Sequence, residues 1–151
     1  MAQSLCKIYL HIIFHVKTSS PAIQAEHLDR VHQYIGQLIN LSNNQSILVG
    51  GVADHVHLLC LLSSTETVAH LVEKVKRNSS RWLKTLSPSY ASFAWQSGYA
   101  AFSVNHSVVD STREYIANQA MHHSKRSFQE EYMEFLRKYH VNFDERYVLS
   151  D

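Results

Sequence analysis

The chain has 151 residues, of which 45% are hydrophobic and 18% are charged. These values are typical of globular proteins, so we predict a single domain over residues 1–151 and exclude wholesale disorder. The formal net charge of +1 excludes a uniformly basic surface for nucleic acid, and any such binding must use local patches.

Targeting signals are absent from the first strand-like run. Residues 8–16 are hydrophobic but too few to span a bilayer, and they lack the basic leader and small-residue cleavage site of a secretory signal. The two cysteines, Cys6 and Cys60, lie in apolar runs, which favours buried, reduced thiols. We therefore expect a cytoplasmic protein without a membrane segment.

The predicted elements alternate in an order that indicates a fold. Period-two alternation predicts strands, and apolar residues at helical spacing predict helices. Strands are predicted over residues 7–16, 45–52, 55–62 and 99–104, and helices over residues 22–40, 65–86, 111–123 and 128–138. This order predicts an α+β fold: a ferredoxin-like split β-α-β antiparallel sheet with helices mainly on one face, plus C-terminal helices.

Two histidines open the third predicted strand. His55 and His57 flank one apolar residue, and side chains that are two apart on a strand point to the same face. Imidazole pairs placed in this way are suitable ligands for a divalent metal ion. The pair alone is weak evidence for such a site.

A basic stripe follows the long second helix. At 100° per residue, Lys74, Arg77, Arg81 and Lys84 fall within an arc of about 80°. Four cations in line would suit a nucleic-acid backbone, although a solvated helix face remains the alternative interpretation.

An aromatic cluster precedes the fourth strand. Its Trp95 could stack on an exposed base of single-stranded nucleic acid, although such clusters more often belong to a core or a subunit interface.

The helix after the fourth strand carries a phenol and an amide on one side. Tyr115 and Gln119 are four residues apart, about 40° around the axis, and His122 lies one turn further. Together with His55 and His57 they fit one chemistry. Two imidazoles and the Gln119 amide oxygen would hold an ion acting as a Lewis acid on a phosphodiester, and the Tyr115 oxygen would attack phosphorus. Taken alone, Tyr115 could also be a packing residue.

Several segments together resemble the single-tyrosine HUH transposases of the insertion sequence 200/605 type. The resemblance covers nearly the whole chain, and its tail is similar to the variant branch associated with repeated extragenic hairpins. The matching segments are Phe14-His15-Val16 and residues 54–59, 76–83, 95–99, 115–119, 122–123, 128–132 and 143–147.

The resemblance implies roles for four of these residues. His55 and His57 would be the metal-binding histidines, Gln119 the third ligand and Tyr115 the nucleophile, with Mg²⁺ or Mn²⁺ as the ion. It implies a bacterial or archaeal homodimer that nicks and rejoins single-stranded DNA beside hairpins, through a 5′-phosphotyrosine intermediate.

Three alternatives stay open. The first is a domesticated hairpin-DNA-binding protein without transposition activity. The second is a zinc hydrolase that uses His55, His57 and either His122 or His123. The third, a histidine-triad nucleotide hydrolase, needs a third alternating histidine where this chain has Leu59.

Overall fold

Four strands form one antiparallel sheet, and the side chains of each strand alternate between its two faces. In the computed structural model, which describes residues 2–150, four antiparallel strands lie in the order β2-β3-β1-β4. The strands are β1 (Ile8–His15), β2 (Gln45–Val52), β3 (His55–Leu62) and β4 (Ala100–Val104). The helices are α1 (Leu28–Asn40), α2 (Val68–Leu86), α3 (Val109–Ala117), α4 (Gln119–His122) and α5 (Phe128–Lys138). The predicted ferredoxin-like arrangement is confirmed.

The main core lies between the first face of the sheet and the helices α1 and α2. Ile12 and Phe14 of β1 and Val56 and Leu58 of β3 are fully buried there. Because alternate residues of a strand point to opposite faces, the intervening His55 and His57 lie on the second face.

Helices α3, α4 and α5 cover that second face. One apolar cluster joins Ile116 of α3 to Leu59 and Val104 of the sheet. Another joins α5 to Ile13 and Phe102. The two clusters anchor the C-terminal helices on either side of the buried histidines.

The tyrosine-bearing helix differs from its prediction in two ways. It begins at Val109, after a 3₁₀ turn whose start is capped by the Asn105 side chain, rather than at a cap on Ser111. It is also interrupted at Asn118, which has φ −102° and ψ 24° and whose side-chain amide donates to the Glu114 carbonyl. Asparagine competes for backbone groups in this way, so the predicted single helix becomes α3 and α4.

Gly50 allows α3 to approach the sheet closely. A Cβ at this position would lie 2.7 Å from Ile116 Cγ2 and 2.9 Å from the Ile116 carbonyl oxygen. The absence of a side chain on Gly50 therefore sets the distance between β2 and the helix that carries Tyr115.

The two cysteines lie in different environments. Cys60 is buried as predicted, but Cys6 is exposed, because it lies before the first residue of β1. Across residues 2–150, no helix combines the length and apolarity needed to cross a membrane.

Candidate active site

His55 and His57 each have a partner on the ring nitrogen that faces away from the centre of the site. His55 Nδ1 lies 2.7 Å from Asp54 Oδ1, and His57 Nδ1 lies 2.7 Å from His11 Nε2. Both histidines are fully buried. These contacts orient the two rings so that their Nε2 atoms point into the same space, as the supporting partners of metal-ligating histidines do.

A carboxylate from α5 occupies that space. Glu131 Oε1 lies 3.0 Å from His57 Nε2, 3.4 Å from His55 Nε2 and 3.2 Å from His123 Nε2. The Glu131 side chain is fully buried. A buried charge needs such partners, and here they are contributed by β3 and by the segment after α4.

The other oxygen of Glu131 contacts the tyrosine-bearing helices. Glu131 Oε2 accepts hydrogen bonds from the Tyr115 hydroxyl and, at 3.1 Å, from Gln119 Nε2. Gln119 Oε1 in turn lies 2.9 Å from His55 Nε2. One carboxylate therefore links the phenol, the amide and both imidazoles within a single chain.

The pKa values of His55 and His57 are shifted in opposite directions. Burial alone would lower the pKa of His55, but its hydrogen bonds to Asp54 and Glu131 outweigh burial and raise the pKa to about 9. Burial lowers the pKa of His57 to about 4, against the opposing effect of Glu131. Burial likewise lowers the pKa of His11 to about 3, so this residue supports His57 as a neutral imidazole.

The carboxylate and the phenol affect each other's ionisation. Burial opposes the charge on Glu131, but hydrogen bonds from His55 and His57 dominate and hold its pKa far below the ordinary value. Burial and the hydrogen bond to Glu131 raise the pKa of Tyr115. The site therefore places the buried Glu131 carboxylate next to the protonated phenol of Tyr115.

The same cluster has the donor set of a divalent-metal site. One ligand atom each from His55, His57 and Glu131 lies within 4.8 Å of the others, and all three residues are buried. The Gln119 amide oxygen adjoins the same His55 nitrogen. Two imidazole nitrogens with amide and carboxylate oxygens fit a first-row divalent cation.

Arg126 and His122 hold the phenol from its other sides. Arg126 Nη2 donates to the Tyr115 hydroxyl oxygen over 2.8 Å, and its Nη1 donates to the exposed Glu134. The His122 ring stacks on the Tyr115 ring, with centroids 4.4 Å apart and planes inclined by 25°. Tyr115 is therefore fixed by neighbours from three segments.

Comparison with known proteins identifies the family. The family model described as "Transposase IS200 like" matches residues 4–119. The chain belongs to this family. IS200-like transposases are enzymes, and the match includes His55, His57, Tyr115 and Gln119. It ends before α5, so Glu131 lies outside the matched segment.

Two solved structures share the fold of this IS200-like chain. A candidate transposase from Deinococcus radiodurans R1 is 19% identical, with a TM-score of 0.60, and the alignment covers 79% of this chain and 98% of that one. A REP-associated tyrosine transposase bound to a REP hairpin is 10% identical, with a TM-score of 0.59, covering 82% of this chain and 73% of that one. No curated protein matches the chain significantly.

The predicted basic stripe lies away from the buried cluster of this family member. Helix α2 packs on the first face of the sheet, opposite the histidines. Lys74 pairs with Glu66 at 3.4 Å, and Arg77 pairs with Glu73. Arg81 and Lys84 are exposed, and neither has a carboxylate partner among residues 2–150.

Trp95 does not occupy a position from which it could stack on DNA. Its side chain is buried against Phe14 and Phe93, and its indole N–H donates to Ser79 Oγ over 3.0 Å. The alternative interpretation of the aromatic cluster, a core, describes this residue, and we do not retain Trp95 among the DNA-binding candidates.

Sequence reasoning missed two residues of this site, Glu131 and Arg126; His123, considered only as a zinc ligand, lies 3.2 Å from Glu131 Oε1. The sequence contains one indication that Glu131 is buried. At 100° per residue it lies on the arc of α5 that carries Phe128, Tyr132 and Phe135, and a carboxylate within the apolar arc of an amphipathic helix needs buried partners.

Proposed function

We propose that this IS200-like transposase nicks and rejoins single-stranded DNA beside hairpins, with Tyr115 as the nucleophile. One observation carries the proposal: the Tyr115 hydroxyl and both imidazoles contact the same carboxylate, that of Glu131. An attacking oxygen and a metal-binding pair must be this close to act on one phosphodiester group.

The reaction would exchange one phosphodiester for another. The Tyr115 oxygen forms a bond to phosphorus, and the bond from phosphorus to the 3′ oxygen breaks. The phenolic proton passes to water, because the low pKa of Glu131, its hydrogen-bond acceptor, prevents that carboxylate from keeping it, and the departing strand leaves as a 3′ hydroxyl after taking up a proton. The 5′ phosphate stays on Tyr115, so reversal by another 3′ hydroxyl rejoins DNA without a nucleotide cofactor.

The residues around Tyr115 would orient its oxygen for this attack. Arg126 donates to the hydroxyl oxygen while Glu131 accepts its proton, so the remaining lone pair of the oxygen has a fixed direction. His122 restrains the ring by stacking. Because Arg126 is cationic, it would also stabilise the phenolate as the proton leaves.

His55, His57, Gln119 and Glu131 would hold Mn²⁺ or Mg²⁺. A site with two imidazoles favours Mn²⁺, whereas the carboxylate and amide oxygens also suit Mg²⁺. When bound, the ion supplies Lewis-acid stabilisation of phosphoryl charge and offsets the Glu131 charge beside the phenol.

The substrate assignment rests on the family and on one neighbour. The neighbour with a TM-score of 0.59 is described as bound to a REP hairpin, which supports a hairpin as the DNA class for this chain. Arg81 and Lys84, exposed on α2, would add contacts to the DNA backbone, with smaller contributions from the ion-paired Lys74 and Arg77.

The homodimer implied by the resemblance remains a prediction. The proposed nucleophile, Tyr115, and the four residues proposed to hold the ion, His55, His57, Gln119 and Glu131, meet within one chain, so the chemistry does not require a side chain from a second copy. Light scattering on the purified protein measures the oligomeric state directly.

The test is to incubate the protein with a pool of single-stranded hairpins and Mn²⁺, and to sequence the DNA from covalent adducts. The proposal expects adducts that need the metal and share a cleavage position next to a hairpin. Hairpin binding without adducts would contradict it and support the alternative of a binding protein without transposition activity.

A further inference from the structure

A cavity of about 240 Å³ opens beside the Tyr115 hydroxyl, between β1, α3 and α5. Tyr115 and Arg126 form one part of its wall, and Lys138 and Tyr139, at the end of α5, form another. Neither His55 nor His57 lines it, but His11, whose Nε2 lies 2.7 Å from His57 Nδ1, does.

The charged groups of this cavity suit a phosphate. The Arg126 guanidinium lies within 2.8 Å of the Tyr115 oxygen, where a phosphate under attack by that oxygen would be. Guanidinium groups bind phosphate through two parallel N–H donors. The partner of Arg126 that lines the cavity is Glu134, whose side chain is 66% exposed, while the buried Glu131 Oε2 lies 3.9 Å from Arg126 Nη2. Because the Glu134 carboxylate is largely solvated, its ion pair with Arg126 is weak enough for a phosphate to replace that carboxylate.

The aromatic groups suit a base. Tyr139 is 36% exposed, and its ring stacks on Phe102 with centroids 4.5 Å apart and planes inclined by 23°. This support fixes the ring as a platform that lines the cavity. Bases stack on such exposed aromatic rings with little dependence on sequence. Lys138, exposed with its Nζ 5.7 Å from the Tyr139 ring centroid, adds a second cation.

We propose that this cavity is a nucleotide subsite for the strand being cut. It binds the nucleotide that adjoins the attacked phosphate, with Arg126 on the phosphate and Tyr139 under the base. The proposal rests on the proposed function, because it assigns the phosphate to the reaction of Tyr115.

The test measures the binding of nucleotides under conditions in which no DNA is cleaved. The four deoxynucleoside 5′-monophosphates and inorganic phosphate are titrated separately into the full-length protein in EDTA, and binding is followed by NMR chemical shifts. The subsite predicts that the nucleotides bind roughly ten-fold tighter than inorganic phosphate, the value of one base stack. Equal affinity would overturn it, because it would show an anion site without a base platform.

Substitutions at Tyr139 and Arg126 test the base-stacking part and the phosphate-binding part of the subsite separately. Tyr139→Ala should lose the roughly ten-fold advantage of nucleotides over phosphate, and Tyr139→Phe should keep it. Arg126→Gln should weaken both ligands. Tyr147→Ala and Arg146→Gln are matched controls, since this exposed pair has a similar cation–ring contact and does not line the cavity. Unchanged nucleotide affinity in Tyr139→Ala or in Arg126→Gln would overturn the assignment.

The two proposals fail separately. Nucleotide binding is measured without metal or cleavage, whereas the function is measured by metal-dependent adducts on hairpin DNA. Adducts together with absent nucleotide binding would remove the subsite and leave the function intact. Nucleotide binding with no adducts would remove the catalytic role of Tyr115 and, with it, the assignment of this subsite to the strand being cut.

Discussion

The Tyr115 hydroxyl donates a hydrogen bond to the Glu131 carboxylate, which joins the nucleophile proposed for this IS200-like chain to a residue outside the family match. The second oxygen of that carboxylate contacts His55 and His57. The C-terminal helix α5 therefore contributes to the site itself as well as covering the sheet.

Glu131→Gln tests whether this carboxylate belongs to the metal centre. The change removes an anionic oxygen next to two imidazoles, so we expect affinity for Mn²⁺ to fall at least roughly 10- to 100-fold, the effect of losing even a residue that only supports the ligands. Isothermal calorimetry on the folded variant measures the affinity. Glu134→Gln, an exposed glutamate of the same helix, is the control, and equal effects of the two changes would argue against a ligand role for Glu131.

His57→Ala should abolish specific Mn²⁺ binding. The substitution removes a buried imidazole whose Nε2 faces the cluster, and among residues 2–150 it leaves only His55 and His123 as imidazoles in contact with Glu131. Electron paramagnetic resonance of Mn²⁺ distinguishes bound from free ion. His70→Ala, which removes an exposed histidine paired with Glu66 on α2, should leave binding unchanged. Retention of tight binding in His57→Ala would place the metal elsewhere.

Gly50→Ala should both destabilise the fold and slow DNA cleavage. The added methyl group would meet Ile116 at 2.7 Å and push α3 away from β2, and overpacking of this kind costs about 1–3 kcal/mol. A shift of the Tyr115 helix by about 1 Å can cost roughly 100-fold in rate. Urea denaturation and adduct formation measure the two effects.

The matched control for Gly50 is Gly36→Ala in the interior of α1. There the added methyl group meets Ser46 Oγ at 3.4 Å, and alanine is a better helix former by about 0.5–1 kcal/mol. Its stability should stay equal or rise, with adduct formation unchanged. A Gly50→Ala variant as stable and active as wild type would show that the close approach of α3 is dispensable.

Arg81→Gln should reduce the salt dependence of hairpin binding. Neutralising one phosphate contact lowers the slope of log K against log salt by about 1. Arg77→Gln should have a smaller effect, because Glu73 already neutralises Arg77 in the free protein. Fluorescence anisotropy at several salt concentrations gives the slopes. Identical slopes for wild type and Arg81→Gln would mean that this face of α2 is only solvated.

Local sequence patterns predicted the sheet and part of the site. Strand alternation alone placed His55 and His57 on one face, and the observed bounds of β2, β3 and α5 are those predicted. The spacing of four residues between Tyr115 and Gln119 also predicted that their side chains lie close together. These features depend on neighbours close in the chain, which a sequence displays directly.

The missed residues depend on contacts between distant segments. Glu131 reaches His57 across 74 positions of sequence, and only the docking of α5 on the second face brings them together. The break at Asn118, which divides the predicted helix into α3 and α4, depends on a backbone conformation that helical periodicity does not reveal. Trp95 looked available for stacking because the sequence shows an aromatic residue but not the Phe14 and Phe93 rings that enclose it.

The most direct measurement of the central claim is to locate the DNA on the protein. After reaction with a cleavable hairpin and Mn²⁺, mass spectrometry of the digested adduct should find the nucleotide on the peptide containing Tyr115, and Tyr115→Phe should form no adduct while binding the hairpin almost as well as wild type. An adduct on another residue, such as Tyr132 or Tyr139, or an adduct formed by Tyr115→Phe, would contradict the account.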